Sequence, residues 1–395
     1  MHWVEDDLQE WNKCSLLRTL RSIEDRKGCS IVIDGKEYVD FSSNDYLGLA
    51  DHPYLREGAV RMAEWYGTSA SASRLMSGDL VLHHELENRV ARFKGKEAGL
   101  IFGSGYLANV GIIPALLGKG DVLFSDSLNH ASIIDGCRLS GAHVICYEHC
   151  NIYDLSNVLE RRRRNYDRAL IISESIYSMD GDHAPLHELV YLKTQHDALL
   201  MVDEAHATGV CGRNGAGLVE AEGLVDEVDI IMGTFSKALA SYGAYVVATQ
   251  CMIDFLINKA RSFVFSTALP PSVVGASLAA LDLVEQEPIR RKRLMEHTHY
   301  FRELLKDKGI ETKGSWQIVP VMVGGDHEAI VVSKVLEDAG IYAVPIRPPT
   351  VPHGESRLRF SVTAHHPWES LNEVAALLQS AIPGVLGPNR TTSLC

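Results

Sequence analysis

The sequence that decides the fold class runs Asp229-Ile-Ile-Met-Gly-Thr-Phe-Ser-Lys237. Its apolar half has the length and composition of a buried strand, and the strand ends in a small polar turn that presents one lysine. Turns at the carboxyl ends of parallel strands are where α/β domains bind ligands. A lysine there can form a Schiff base with an aldehyde when its pKa is lowered, although a surface lysine after a strand is the commoner explanation.

Apolar runs of strand length recur through the middle of the chain. Helix-length segments separate most of them, which predicts an α/β fold with a mostly parallel sheet covered on both faces. The connector between 229–232 and 244–248 is short and glycine-rich, so 244–248 is predicted to be an antiparallel edge strand. The runs cover 100–102, 122–124, 144–147, 169–173, 198–202, 229–232 and 244–248.

The chain is expected to divide into four segments: an N-terminal arm or helix (1–45), a large α/β domain (46–285), a smaller α+β domain (286–387) and a disordered tail (388–395). The double proline Pro270-Pro271 interrupts any preceding helix, and a helix over 272–287 is expected to lead out of the large domain. The pattern beyond it predicts helices over 288–308 and 328–339, strands over 318–323, 341–344 and 357–362, and a final helix.

Composition excludes several classes of partner. The chain has 395 residues, a formal charge of -13 and a pI near 5.7, so its summed field repels nucleic acid and anionic membranes. The acidic start resembles neither a secretory signal nor a basic transit peptide, and the longest apolar stretch, 272–284, is too short to span a bilayer. A cytoplasmic protein with neither nucleic acid nor membrane as partner is therefore expected.

The eight cysteines form no C-x-x-C pair, which indicates reduced thiols. The spacing of His143, Cys146, His149 and Cys150 could be interpreted as a set of metal ligands. No second pair with zinc-site spacing accompanies them, so no metal is expected.

A second strand end supplies acids and a histidine in Leu199-Leu-Met-Val-Asp-Glu-Ala-His206. Asp203 could hold the protonated nitrogen of a pyridoxal ring, and His206 would then reach the ring's other edge. The letters Asp-Glu-Ala-His also occur in helicases, but that interpretation requires a phosphate loop with Gly-Lys-Ser/Thr, which this chain lacks. The helicase hypothesis therefore fails.

A strand, a glycine turn and a helix start follow one another in Ile101-Phe-Gly-Ser-Gly-Tyr-Leu-Ala-Asn109. Free N–H groups at such a helix start can hold a phosphate, with Thr234 and Ser236 adding hydroxyl contacts, although a plain tight turn explains the pattern equally simply. His130 follows another strand end, where its imidazole could stack on a ring or be structural.

Two arginines alternate with apolar residues along a predicted strand near the C-terminus. Alternation places Arg357 and Arg359 on one face, where one could bind a carboxylate through two hydrogen bonds. Ion pairing at the surface is the other interpretation.

Together these motifs resemble the α-oxoamine synthases, a family of fold-type I pyridoxal phosphate enzymes. The resemblance runs from about Ser42-Ser-Asn-Asp-Tyr-Leu-Gly48 to Ala364-His365 and includes Ser73-Arg-Leu75, Ser175-Ile-Tyr-Ser-Met-Asp-Gly-Asp182, Thr234-Phe-Ser-Lys237 and Arg347-Pro-Pro-Thr-Val-Pro352. It implies the fold of that class, with a large sheet domain and a smaller α+β C-terminal domain.

The resemblance also implies the cofactor, pyridoxal 5'-phosphate, and a role for each motif residue. Lys237 would carry the cofactor, Asp203 would bind the pyridine nitrogen, His206 the phenolic oxygen, and His130 would stack on the ring. An obligate homodimer follows, because Ser266 and Thr267 of the partner subunit would contact the phosphate. The remaining cofactor contacts would come from Gly105, Tyr106, Ser178 and Thr234.

On the substrate side, the resemblance places Arg18 and Thr350 along the acyl channel and Arg359 on the amino-acid carboxylate, with Arg21 and Arg357 as alternatives. The motifs most resemble the biotin-pathway member of the family, which joins L-alanine to a pimeloyl thioester of acyl carrier protein or coenzyme A. A member that acetylates glycine is the nearest competitor.

Three departures from the family pattern are visible, and none removes a catalytic group. They are Ser69-Ala-Ser-Ala-Ser73, Gly215-Ala-Gly217 and Ala240, each at a place where more glycine is common in the family. Two other classes remain as alternatives: a hydrolase using a Thr234-x-x-Lys237 dyad, and a non-catalytic pyridoxal-binding regulator. The first leaves Asp203 and His206 unused, and the second lacks a DNA-binding module.

Overall fold

The computed structural model describes residues 2–385, so the predicted disordered tail lies outside the described residues. Two compact units divide the described chain. One holds Leu47–Ser178 and His183–Lys292, and the other holds the remaining described residues, including the short segment Met179–Asp182.

The helices number fourteen within residues 2–385, apart from one 3-10 turn at Arg163–Asn165. They are α1 (His2–Lys13), α2 (Pro53–Tyr66), α3 (Val81–Lys94), α4 (Gly105–Leu116), α5 (Ala131–Ser140), α6 (Ile152–Arg162), α7 (Leu186–Gln195), α8 (Leu218–Ala221), α9 (Gln250–Lys259), α10 (Arg261–Val264), α11 (Pro271–Gln286), α12 (Pro288–Asp307), α13 (Asp326–Asp338) and α14 (Trp368–Val385).

The described strands also number fourteen, and they form three sheets. They are β1 (Asp25–Lys27), β2 (Ser30–Ile33), β3 (Lys36–Asp40), β4 (Ala98–Phe102), β5 (Val122–Asp126), β6 (His143–Tyr147), β7 (Ala169–Glu174), β8 (Leu199–Asp203), β9 (Ile230–Thr234), β10 (Ala244–Ala248), β11 (Ile318–Gly324), β12 (Ile341–Tyr342), β13 (Pro345–Ile346) and β14 (Ser356–Ser361).

A seven-stranded sheet forms the centre of the larger unit, in the order β4-β10-β9-β8-β7-β5-β6. All seven strands predicted in the middle of the chain are present. Strand β10 pairs antiparallel with β4 and with β9, whereas the pairs from β9 to β6 are parallel. The predicted antiparallel direction is therefore confirmed, but the edge position is wrong, because β4 returns to cover the other side of β10.

Every residue of β7, β9 and β10 is buried, which explains why these strands are continuous apolar runs rather than alternating ones. Helices α4, α5, α9 and α10 contribute to the apolar core on this sheet, packing residues such as Ile112 and Phe263 against Leu100 and Val246. The sheet is thus a rigid platform, and the loops at its carboxyl edge are where functional side chains can be held in place.

Side-chain caps fix where three helices begin after strands of this sheet. In each, a side chain accepts a hydrogen bond from a backbone N–H of the first turn. Ser104 accepts from Leu107 in α4, and His130 accepts from Ser132 in α5. Asn151 accepts from Asp154 in α6. Each cap leaves the N-terminus of its helix at the carboxyl edge of the strand before it.

The smaller unit contains the other two sheets. Strands β11, β14 and β13 form an antiparallel sheet in that order, and β14 is buried along its whole length. Strands β1, β2 and β3 form a second sheet, which β12 joins in parallel with β3. The sequence analysis did not predict the three N-terminal strands, and the strand expected over 341–344 is shorter and belongs to this N-terminal sheet.

Candidate active site

Lys237 lies on a tight turn between β9 and β10. The backbone N–H of Phe235 donates to Gly243 O (3.0 Å), and that of Ser241 donates to Phe235 O (2.8 Å), so the turn has a defined shape. Lys237 Nζ lies 2.8 Å from Nε2 of His206, which follows the end of β8. The structure therefore brings together two of the side chains predicted for the site.

Asp203 is the last residue of β8, and its carboxylate is held on both oxygens. Oδ1 accepts the backbone N–H of Ala205 (2.9 Å), and Oδ2 accepts Nδ2 of Asn109 on α4 (3.0 Å). Asn109 was quoted in the glycine-turn motif without a role. Because its amide also donates to Ser132 Oγ (2.9 Å), Asn109 links the ends of β4, β5 and β8.

His130 caps α5 with its side chain. Nδ1 accepts the backbone N–H of Ser132 (3.2 Å) and lies 2.7 Å from Ser132 Oγ, which assigns the proton of the neutral ring to Nε2. Burial lowers the pKa of His130, while Asp203 raises it and Lys237 lowers it further. Hydrogen bonds through Ser132 and Asn109 connect this imidazole to Asp203.

Glu174 is a site residue that the sequence analysis missed. It ends β7 directly beside Asp203 in the strand register, its exposure is 3 %, and Oε1 accepts the backbone N–H of His130 at 2.6 Å. Burial, and next the charge of Asp203, raise its pKa to about 8, although Lys237 opposes this. In the sequence, Glu174 and Asp203 each come at the end of an apolar run. Only the parallel pairing of β7 with β8 shows that the two acids are neighbours.

The predicted phosphate turn has the expected form. Strand β4 ends at Phe102, and the first turn of α4 begins at Gly105. The N–H groups of Leu107 and Ala108 bond to Ser104, whereas within the described chain no hydrogen bond engages those of Gly105 and Tyr106. Two donors and the positive end of a twelve-residue helix are thus available to an anion.

The other predicted cofactor contacts lie on three loops of the same unit. Thr234 Oγ1 lies 2.7 Å from Ser236 Oγ and donates to Gly243 O (2.8 Å), so its proton is not directed at Lys237 as a hydrolytic dyad requires. Ser178 is half-buried in the loop after β7. Thr267 forms a bridge with Ser73, and Ser266 and Thr267 line a groove beside β4.

The smaller unit buries both arginines of β14, so the interpretation as surface ion pairs is wrong. Arg357 pairs with Asp180 (2.7 Å) and Glu355 (2.9 Å), which neutralise its charge. Three hydrogen bonds from Arg359 instead go to neutral oxygens, those of Ser361, Asn44 and Tyr46. The two carboxylate partners of Arg357 make it the poorer candidate to bind a substrate carboxylate.

Arg18 and Thr350, predicted together for the acyl channel, are in direct contact. Arg18 Nη2 donates to Thr350 Oγ1 (3.2 Å) and to Pro348 O (3.5 Å). Arg21 is bound by Glu337 (3.1 Å) and lies over the ring of Tyr342. Its carboxylate partner makes Arg21 a poorer anion site than Arg18.

The four residues considered as metal ligands do not form one cluster. His143 stacks on Tyr166, whereas His149 and Cys150 group with Asp126, their ligand atoms lying within 4.8 Å of one another. In the part of the chain that the structure describes, no helix is long and apolar enough to cross a bilayer.

The pocket residues fit pyridoxal phosphate. A lysine amine faces a histidine, a carboxylate is fixed at the end of β8, and two N–H donors lie at the start of α4. Asn109 Oδ1 is also buried and receives no hydrogen bond, so the pocket retains an acceptor among its polar atoms. Such a set can bind an aldehyde, a ring nitrogen and a phosphate at separate positions.

Comparison with known proteins agrees with this chemistry. A model of the aminotransferase class I and II family matches residues 36–378. A curated 8-amino-7-oxononanoate synthase of Geobacter metallireducens is 51% identical over 96% of this chain and 98% of its own. The corresponding synthase of Geobacter sulfurreducens is 48% identical over 95% of this chain and 96% of its own.

Solved structures show the same architecture. Serine palmitoyltransferase from S. paucimobilis, solved with a pyridoxal phosphate–myriocin aldimine bound, superposes with a TM-score of 0.92 at 31% identity, covering 97% of each chain. An 8-amino-7-oxononanoate synthase from Francisella tularensis superposes with a TM-score of 0.77 at 28% identity, covering 88% of this chain and 98% of the other.

Proposed function

Because this chain belongs to the aminotransferase class I and II family, we propose that it is a pyridoxal phosphate-dependent acyltransferase. It joins L-alanine to a pimeloyl thioester and releases carbon dioxide, a free thiol and 8-amino-7-oxononanoate, a step of biotin biosynthesis. The observation that carries the proposal is the contact of Lys237 with His206 in the pocket of Asp203, within a chain that matches synthases of this product along nearly its whole length.

Lys237 would hold the cofactor through its aldehyde, and the same amine would move the Cα proton of alanine. The 2.8 Å contact with His206 Nε2 fixes the position of the amine that would accept this proton. The bound cofactor supplies an electron sink that stabilises negative charge at Cα before acylation and again after loss of carbon dioxide.

Asp203 keeps the pyridine nitrogen protonated, which is the condition for that electron sink. Its two hydrogen bonds, from Asn109 and Ala205, fix the position of the carboxylate. His206 would hold the phenolic oxygen of the cofactor, and His130, whose imidazole is fixed by Ser132, would stack on its ring. We assign Asn109 to the site as well, because it holds Asp203 and Ser132 together.

The phosphate binds at the start of α4 through the N–H groups of Gly105 and Tyr106, assisted by Thr234, and Ser178 makes a further cofactor contact. Ser266 and Thr267 of the partner subunit complete the phosphate site, so the active enzyme is a homodimer. The position of Thr267 beside Ser73, next to the edge strand β4, supports a role at a subunit boundary.

Substrate recognition is assigned to the smaller unit. Arg359 binds the alanine carboxylate through its guanidinium, which hydrogen bonds to Ser361 and Asn44 hold in a fixed orientation. Arg18 and Thr350 line the acyl channel as a hydrogen-bonded pair. The acyl donor is carried by acyl carrier protein or coenzyme A, and the reaction takes place in the cytoplasm.

A four-way assay tests the proposal. Purified holoenzyme is offered alanine or glycine against pimeloyl or acetyl thioester, with thiol release and the visible absorbance of the cofactor followed together. Preferred turnover of alanine with pimeloyl thioester is expected. Preference for glycine with acetyl thioester would contradict the substrate assignment and support the second candidate, a glycine acetyltransferase. Hydrolysis of either thioester without an amino acid would contradict the reaction type.

A further inference from the structure

A second group of reactive side chains lies at the far edge of the seven-stranded sheet. Asp126 is the last residue of β5, and His149 and Cys150 follow β6, whose Tyr147 pairs with Asp126 in register. We call Asp126, His149 and Cys150 the thiol cluster. The proposed acyl transfer uses none of them, since strand spacing puts β6 about 20 Å from β9, which carries Lys237.

Asp126 sets the tautomer of His149. Its carboxylate, with a side-chain exposure of 1%, lies 2.9 Å from His149 Nδ1 and accepts the backbone N–H groups of Cys150 (2.8 Å) and Leu128 (2.9 Å). Burial acts to raise the pKa of Asp126, but the bonds from His149, Cys150 and Leu128 outweigh burial and lower it. An ionised Asp126 therefore places the ring proton on Nδ1, and Nε2 of neutral His149 keeps its lone pair.

That lone pair lies beside the thiol. Cys150 Sγ is 3.7 Å from His149 Nε2, and the carbonyl oxygen of His183 lies 3.6 Å from Sγ. A proton passed from Sγ to Nε2 produces an imidazolium that the buried Asp126 stabilises. Helix α6 begins at Ile152, two residues further on, and the positive end of its dipole also favours a thiolate.

From this geometry we infer that Cys150 is a nucleophilic thiol with His149 as its base and Asp126 as the group that orients the base. The site takes soft electrophiles such as alkyl halides and hydroperoxides. Cys150 is half-buried, so small reagents can approach its sulfur.

Reaction of the thiol cluster with either class of electrophile requires no further group. With iodoacetamide, the sulfur forms a bond to carbon, the C–I bond breaks, iodide leaves, and the thiol proton remains on His149. With a hydroperoxide, the sulfur bonds to the terminal oxygen and the O–O bond breaks. The departing alkoxide then takes the proton from His149, which leaves a sulfenic acid on Cys150.

Cys251 provides a matched control inside the same molecule. It is an exposed thiol in the first turn of α9, and among residues 2–385 no hydrogen bond joins it to a histidine. Both thiols thus lie at a helix start, and only Cys150 has an imidazole base. Limiting iodoacetamide is added to holoenzyme between pH 5.5 and 8.5, and labelling of each cysteine is measured by peptide mass spectrometry.

Cys150 is expected to react about fivefold faster than Cys251 at pH 6.5 and to reach its plateau rate at a lower pH. His149→Gln should reduce the rate at Cys150 to that of Cys251 while leaving Cys251 unchanged. The buried Cys137 should stay unlabelled in the variant, which reports that the variant is folded. Equal rates and equal pH profiles for the two thiols in the unaltered enzyme would overturn the proposal. So would labelling of Cys150 that begins only after a chelator is added, because that result identifies a metal site.

Discussion

Glu174 and Asp203 occupy paired positions on the adjacent parallel strands β7 and β8, and each is almost completely buried. Their environments differ. Asp203 accepts hydrogen bonds on both oxygens, whereas burial and the charge of Asp203 raise the pKa of Glu174 to about 8. Two carboxyls that differ in this way can hold one proton between them at neutral pH, with Glu174 as the protonated member.

Glu174→Gln should flatten the pH dependence of stability. Between the pKa of about 4.5 in the unfolded chain and about 8 in the folded protein, the folded state binds a proton that the unfolded state does not. The free energy of unfolding of the apoprotein should therefore fall with rising pH, by at most about 1.4 kcal/mol per unit from this group.

Urea denaturation of both apoproteins at several pH values between 5 and 8 provides the measurement. Glutamine keeps an acceptor for the backbone of His130 but cannot ionise, so this contribution should disappear. The exposed Glu160→Gln serves as control and should leave the slope unchanged. If the free energy of unfolding changed with pH equally in Glu174→Gln and in the unaltered protein, Glu174 would be ionised across this range.

Lys237→Ala should retain the fold and lose turnover, by at least about 100-fold, because the variant has no amine to move the Cα proton. Borohydride reduction of the holoprotein should attach the cofactor covalently to the unaltered chain and not to the variant. Lys119→Ala, on an exposed loop of the same unit, should behave like the unaltered enzyme in both assays. Substantial residual turnover in Lys237→Ala would contradict the assignment of this lysine.

Lys94→Met should destabilise the larger unit. Lys94 contacts Glu204 and Ala216 O in the protein interior, and Glu204 Oε1 also accepts the N–H of Val219 (2.9 Å). Burial acts to lower the pKa of Lys94, but Glu204 outweighs burial and raises it. Removing the lysine leaves an uncompensated buried carboxylate, at a cost of about 3–5 kcal/mol in the free energy of unfolding.

A double-mutant cycle measured by urea denaturation checks this expectation. Lys94→Met with Glu204→Leu should be more stable than Lys94→Met alone, since no buried charge is left unpaired. If the two changes were simply additive, the contact would contribute no coupling energy and the prediction would fail.

Ala240→Gly should stabilise the protein by up to about 1 kcal/mol. Ala240 has a φ of 49°, in the left-handed region that glycine adopts without strain. The left-handed conformation costs alanine roughly 1–2 kcal/mol, and the greater chain entropy of glycine offsets part of the gain. Thermal unfolding measures the change, and Ala59→Gly inside α2 should shift the transition in the opposite direction. A lower melting temperature for Ala240→Gly would refute the strain argument.

Local sequence patterns predicted the elements of the larger unit better than their arrangement. Buried runs such as 169–173 are apolar throughout, so the seven strands and their turns could be recognised one by one. The interior position of β10 could not be recognised, because it depends on pairing with β4, and five other strands of the sheet lie between β4 and β10 in the sequence.

The same limit applies to the candidate site. Lys237, His206, Asp203 and His130 each follow a strand in the sequence, whereas Glu174 and Asn109 acquire their roles only through contacts with neighbouring strands. The sequence alone did not distinguish Arg357 from Arg359, because both are predicted on the same face of an alternating strand. The structure distinguishes them by their contacts, because Asp180 and Glu355 pair with Arg357.

The reversed strand β10 has a consequence for the order in which the protein assembles during synthesis. Phe102, which precedes the turn proposed to bind phosphate, pairs with Ala244, which follows the turn that carries Lys237, so the two turns are joined by a contact of very high sequence separation. On the ribosome, β4 lacks its neighbour until residue 248 has emerged, while β5, β6 and β7 can already pair with one another. Closure of this long loop is the entropically costly step, and cofactor-binding competence is therefore acquired late in translation.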